Sequence, residues 1–124
     1  MAKEFIKPQR VAIASSDGKV VDECFGRARY YRIYALAAAG YQPAEVRESP
    51  RPCRDGAHEE DNFAAALSMV ADCQMVVAGR IGPEAVRRLE ERGIFAAVVA
   101  LPLEKVLQRL FERGLPPLSA AVFM

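Results

Sequence analysis

No apolar run in the chain approaches the roughly 20 residues that cross a bilayer, which excludes a helical membrane span. The opening "MAKEFIKPQR" lacks the apolar centre of a secretory signal, so a cytoplasmic protein with no membrane partner is expected. Excess charge is missing as well: Lys plus Arg number 17 against 16 for Asp plus Glu. A net charge of +1 is too small for a general nucleic-acid platform, and no nucleic-acid partner is expected. Cysteines number 3, an odd count and a poor disulfide framework in a domain large enough to fold without staples, so reduced thiols are the expectation. Internal repeats and linkers are absent too. A length of 124 residues suits one hydrophobic core, and residues 1–124 read as a single domain with its core over about 10–113.

What is present alternates between two periods. "RVAIASS" carries the apolar run Val11 to Ala14 and stops at the Asp17-Gly18 turn signal. "RYYRIYAL" alternates Tyr31, Ile33 and Ala35 with Tyr30, Arg32 and Tyr34, as a half-buried strand does. "YQPAEVRES" is a weaker strand whose Pro43 favours a sheet edge. The proline-rich, charged "SPRPCRDGAHEED" is a loop, after which Phe63, Ala66, Leu67 and Val70 recur at helical spacing, predicting a helix over about 59–72. "CQMVVAG" and "IFAAVVA" are buried strands. Between them, "GPEAVRRLEERG" is a helix with Pro83 at its first position and Ala85, Val86 and Leu89 inward. "LEKVLQRLFERG" closes the series as a helix burying Leu103, Val106, Leu107, Leu110 and Phe111. Continuous apolar strands separated by helices need burial on both faces, so the fold class is α/β: one mixed sheet of about five strands covered by helices, with the strand near Cys73 central. The tail over 115–124, "LPPLSAAVFM", is too apolar to expose without cost and should pack on its own domain or form a homo-oligomer contact.

Two connections carry chemistry. Cys53 and His58 lie five residues apart in the loop that leads into the first helix, whose N-terminus favours thiolates and anionic ligands. Alone, that pair is a weak motif. Cys24 lies in the other large connection, and loops at one end of a sheet converge although they are distant in sequence. Cys24, Cys53 and His58 together would be a soft donor set suited to iron-sulfur species, zinc or copper rather than magnesium. Arg27, Arg29, Arg51 and Arg54 flank the thiols and would attract an anionic cluster; their bland reading is a solvated rim. Gly26 and Gly56 serve turns and let the backbone approach a bulky ligand. Cys73 opens an apolar strand and is assigned to the core. "GRIGPE" resembles a glycine loop but lacks the lysine and spacing of a phosphate-binding loop.

"VAIASSDGKVVDECFGRARYYRIY", "CRDGAHEED" and "DCQMVVAGRIGPEAVRRLEERGI" occur in this order between about Val11 and Phe111. Together they resemble the dinitrogenase iron-molybdenum cofactor biosynthesis family, of the NifX, NafY and NifB C-terminal domain type. The resemblance implies a ribonuclease-H-like mixed sheet and a role in carrying the nitrogenase cofactor or its iron-sulfur precursor between donor and acceptor proteins, without catalysis. Cys53 and His58 match the family's Cys-and-His loop. Family members usually place histidine at the position of Cys24, so this chain offers a thiol where imidazole is the rule.

Three function classes compete. The first is a non-catalytic carrier that transiently binds an iron-sulfur or iron-molybdenum type cluster through Cys24, Cys53 and His58. The second is a scaffold or partner-binding domain without metal cargo. The third is an enzyme. A two-metal nuclease would need gathered carboxylates, yet the first strand offers only Val11, Ala12, Ile13 and Ala14. A hydrolase using Cys24 and His58 would need an orienting Asp or Asn that the sequence does not identify.

Overall fold

The computed structural model describes residues 9–37, 39–49 and 59–113. The alternating and helical periods become β1 (Gln9–Ala14), β2 (Tyr30–Ala37), β3 (Gly40–Glu48), α1 (Glu59–Met69), β4 (Met75–Ala78), α2 (Pro83–Glu91), β5 (Phe95–Val98) and α3 (Leu103–Arg113). One five-stranded mixed sheet has the order β3-β2-β1-β4-β5. β1, β2 and β3 form an antiparallel meander, and β4 and β5 add in parallel beside β1. The expected α/β class and element order are therefore present. β4 is interior, with a strand on each side, but the central place belongs to β1. The first helix ends at Met69, before the expected residue 72, because the chain turns over 70–72 to deliver Cys73 into the core.

Burial follows the two periods. Val11, Ile13, Met75 and Val77 point to one face of the sheet, where Leu103, Val106, Leu107 and Leu110 of α3 cover them. Ala12, Ala14, Val76 and Ala78 point to the other, under Ala66, Leu67 and Val70 around α1 and Ala85 and Leu89 of α2. Each such aliphatic side chain taken from water contributes about 1.5–3 kcal/mol, which favours the continuous apolar runs Val11 to Ala14 and Met75 to Ala78. β2 splits its sides: Tyr31 and Ile33 face α1 and α2, whereas Leu36 and the half-buried Tyr34 face α3. Ala35, expected inward with Tyr31 and Ile33, stays half-exposed.

β3 is an edge strand, as Pro43 suggested. Its register with β2 shifts between Ile33 and Tyr34, because Ala44 is an extra residue beside the proline that cannot donate to a ladder. Side chains anchor this edge. Tyr41 donates to Glu104 and lays its ring edge-on to Phe111 of α3. That hydrogen bond, with some burial, pushes the Tyr41 phenol up to about 12. Arg47 donates to the Met69 carbonyl, to both Asp72 carboxylate oxygens and to Glu45, tying β3 to the end of α1. Arg51, Cys53, Arg54, Gly56, His58 and the tail 115–124, to which the sequence reading assigned roles, lie outside the described residues.

The Arg47 guanidinium holds the Asp72 carboxyl at about 2, below its ordinary 3.8. A carboxylate with a depressed pKa stabilises the fold fully above 3.8 and loses that contribution as pH falls through about 2. Both groups are partly exposed, so the contribution is about 1 kcal/mol. Arg47→Ala should lower the unfolding free energy by about that much near neutral pH. Denaturant titrations repeated down to a pH of about 2 should show the difference from wild type shrinking across that window.

Candidate functional site

The connection from β1 to β2 does not turn back directly. Its first half is fixed by its own polar groups: Ser15 Oγ accepts the Gly18 N–H at 2.9 Å and donates to the Val20 carbonyl at 2.6 Å. Asp22 accepts the Ser16 N–H and hydroxyl at 3.0 and 2.7 Å. Arg32 reaches back from β2 to the Ser15 and Ser16 carbonyls at 3.0 and 2.8 Å. Desolvation, with Asp22 alongside, pushes the Glu23 carboxyl up.

The second half crosses the carboxyl ends of the parallel strands. Val21 N–H donates to the Leu101 carbonyl beyond β5, Glu23 N–H to Ala14 at the end of β1, and Phe25 N–H to Arg80 beyond β4. Gly79 N–H donates back to the Glu23 carbonyl at 2.9 Å, and Cys24 pairs in parallel with Arg80 as an isolated bridge. This crossing borders the crevice outside the carboxyl ends of β1 and β4, the region of open α/β sheets in which ligands bind.

A cavity of about 370 Å³ opens there, lined among the described residues by Cys24, Phe25, Gly26, Arg27, Phe63, Arg80 and Gly82. Its shape depends on Gly26, which holds φ at +95° and would bring an added Cβ within 3.3 Å of the Phe63 ring. The buried Tyr31 hydroxyl accepts the Gly26 N–H at 3.1 Å, and burial pushes that phenol up to about 12. Phe25 packs its ring edge-on to Tyr31. Phe63, one turn into α1, is half-buried and lies under the Arg88 guanidinium of α2.

The structure thus brings Cys24, Gly26 and Arg27 to one cavity. Cys24 is half-buried at its wall. Arg29 is not among the lining residues; it pairs with Glu48 at 3.3 Å and covers the Tyr30 ring. Cys73 is 3% exposed in the core, and burial pushes its thiol up to about 12, so it carries no thiolate at neutral pH. Among the described residues no three His, Cys, Asp or Glu side chains gather to hold a metal ion. Cys53 and His58 lie outside them, in the segment directly preceding α1 and hence the helix that presents Phe63. Sequence reasoning missed Arg80, Gly82 and the site role of Phe63. The strand-then-helix junction "AGRIGPE" at the end of a parallel strand was the available signal.

The family model described as dinitrogenase iron-molybdenum cofactor matches residues 7–113. Among curated relatives, the FeMo cofactor biosynthesis protein NifB of Klebsiella pneumoniae is 43% identical over 110 residues, covering 83% of this chain and 24% of that protein. Protein NifY of Azotobacter vinelandii is 29% identical over 119 residues, covering 92% of this chain and 48% of that protein. The chain spans about a quarter and about half the length of these two relatives. The apo form of the orange protein from Desulfovibrio gigas superposes with a TM-score of 0.62 at 21% identity, over 96% of this chain and 97% of that one, a likeness of fold.

The two cavity glycines should respond differently to a methyl group. Gly26→Ala forces a side chain into a left-handed backbone and against Phe63, costing about 1–3 kcal/mol. Gly82→Ala meets nothing within 4 Å at an ordinary φ, and loses only a favourable helix cap, below about 1 kcal/mol. Denaturant unfolding of both variants checks the order.

Proposed function

The chain belongs to the dinitrogenase iron-molybdenum cofactor family, and from that membership we propose that it is a non-catalytic carrier of an iron-sulfur or iron-molybdenum type cluster in nitrogenase cofactor assembly. The name of its NifB relative, a FeMo cofactor biosynthesis protein, supports this reading. The observation that carries it is the cavity at the ends of β1 and β4, lined by one cysteine, two arginines and the aromatic residues Phe25 and Phe63. Thiolate is a soft donor for iron, and arginine is the cation best suited to a partly desolvated anion. Cys24 is the proposed anchoring ligand, with Cys53 and His58 as further donors. Arg27, Arg51 and Arg54 supply positive charge, Arg29 being taken up by Glu48, and Gly26 and Gly56 admit the cargo close to the backbone. A cavity open to solvent suits cargo that is received from a donor protein and passed to an acceptor.

A synthetic cubane iron-sulfur cluster with mercaptoethanol-derived thiolate ligands provides a direct test. Loading would be a ligand exchange: the Cys24 thiol gives up its proton, its sulfur binds one iron, and the displaced thiolate leaves with that proton as free thiol. No electron moves. After anaerobic incubation and desalting, wild type should retain iron and visible absorption, and Cys24→Ala should lose most of both. Loss of a half-buried thiol should change stability by less than about 1 kcal/mol. Cys73→Ser should bind as wild type per folded molecule but unfold more easily, by about 1–3 kcal/mol, because a hydroxyl enters an apolar strand. Wild type that emerges free of iron would contradict the carrier reading. Equal retention by wild type and Cys24→Ala would move the ligand role to Cys53 and His58.

A further inference from the structure

The cavity is asymmetric in charge. Among the described residues no carboxylate lines it, whereas two arginines do. Arg29, Arg47, Arg87 and Arg88 are each paired with an acid, at Glu48, Asp72, Glu91 and Glu84 respectively. Arg27 and Arg80 have no such partner among the described residues. Of the nearby acids, Asp22 binds Ser16 and Glu84 turns toward Arg87 and Arg88 on its own helix, while Glu23, next to Cys24, is not among the lining residues and pairs with neither arginine. Arg80 is held beside Cys24 by its backbone. Its carbonyl accepts the Phe25 N–H at 2.9 Å and its backbone pairs with Cys24, so its side chain starts beside the thiol whatever the rest of the loop does.

We propose that Arg80 determines which cargo the cavity accepts: a compact inorganic complex of net negative charge, held against Phe63 and screened by Arg80 together with Arg27. This assignment rests on the carrier reading and adds to it a selectivity by charge. Arg80 acts on the ligand by electrostatics and by hydrogen bonds to its sulfide or thiolate edge, while Cys24 makes the bond to metal. A neutral complex of the same size would gain nothing from the two exposed guanidinium groups, and a cationic one would be repelled by them.

Two clusters with one core and opposite charge separate these roles. The cubane core with mercaptoethanol-derived thiolates is dianionic, and the same core with cysteamine thiolates, each bearing an ammonium, is dicationic. Wild type should bind the dianionic form more tightly, with an affinity that falls as salt rises. Arg80→Gln should weaken that binding roughly tenfold and flatten its salt dependence, the size expected for one charge-assisted contact. Arg80→Lys should recover most of it, and Arg80→Glu should abolish the preference for the anion. Arg80 is exposed and its fold contacts are made by backbone, so thermal midpoints should match within the series. Equal affinity and salt dependence in wild type and Arg80→Glu would overturn the assignment while leaving the carrier reading intact. Wild type that binds neither form would overturn both.

Discussion

Residues 19–25 must cross the carboxyl ends of three parallel strands, and the candidate site depends on that crossing. Leu103 N–H donates to the Lys19 carbonyl, Val21 N–H to Leu101, Glu23 N–H to Ala14, Gly79 N–H to Glu23 and Phe25 N–H to Arg80. These hydrogen bonds bind the connection to the ends of β1, β4 and β5 in turn. A Cβ at position 79 would meet the Val21 carbonyl oxygen at 3.4 Å, an ordinary contact, so the approach is held by the hydrogen bond from the Gly79 N–H to Glu23. Once the crossing is fixed, Cys24 stands beside Arg80, and the turn at Gly26 is directed toward α1.

The cavity therefore has a rigid floor and softer walls. Its floor is backbone, hydrogen-bonded to the ends of β1 and β4, where Val11 to Ala14 and Met75 to Ala78 are buried on both faces of the sheet. Its walls are the half-buried Phe63 ring and two exposed arginines. Polar groups that would compete for those arginines are held in other structures: the Ser15, Ser16 and Asp22 network stabilises the connection, and Arg47 with Asp72 fastens the far edge. The two cysteines among the described residues differ in their surroundings. Cys73 is enclosed by apolar neighbours and its thiol is driven toward neutrality, whereas Cys24 borders an open, positively lined space.

The layers of the fold were legible because their signals are local and periodic. Val11 to Ala14, "MVVA" and "FAAV" could be read as doubly buried strands, and the stripes of α2 and α3 as core faces, with no knowledge of partners. Pro43 announced an edge, but the bulge at Ala44 needed the facing strand to be seen. Ala35 was read inward from alternation alone, although it is Leu36 that a neighbouring helix covers. At the site, Cys24, Gly26 and Arg27 could be read from one charged turn. Arg80 could not, because its relevance arises from a backbone bridge to Cys24 between residues far apart in sequence. Phe63 fitted a helical apolar stripe equally well as a core residue, and only the closeness of Gly26 gives it a second role.

The central claim is that cargo sits at the end of β1 and β4, against the crossing segment. Crystals of protein loaded anaerobically with the dianionic cubane cluster, measured at the iron absorption edge, locate iron without reference to any assumed ligand. The account predicts anomalous density inside the space bounded by Cys24, Gly26, Phe63 and Arg80, with iron bonded to the Cys24 sulfur. Iron bound instead at Cys73, on the outer face of β3, or anywhere that leaves this space empty would contradict it.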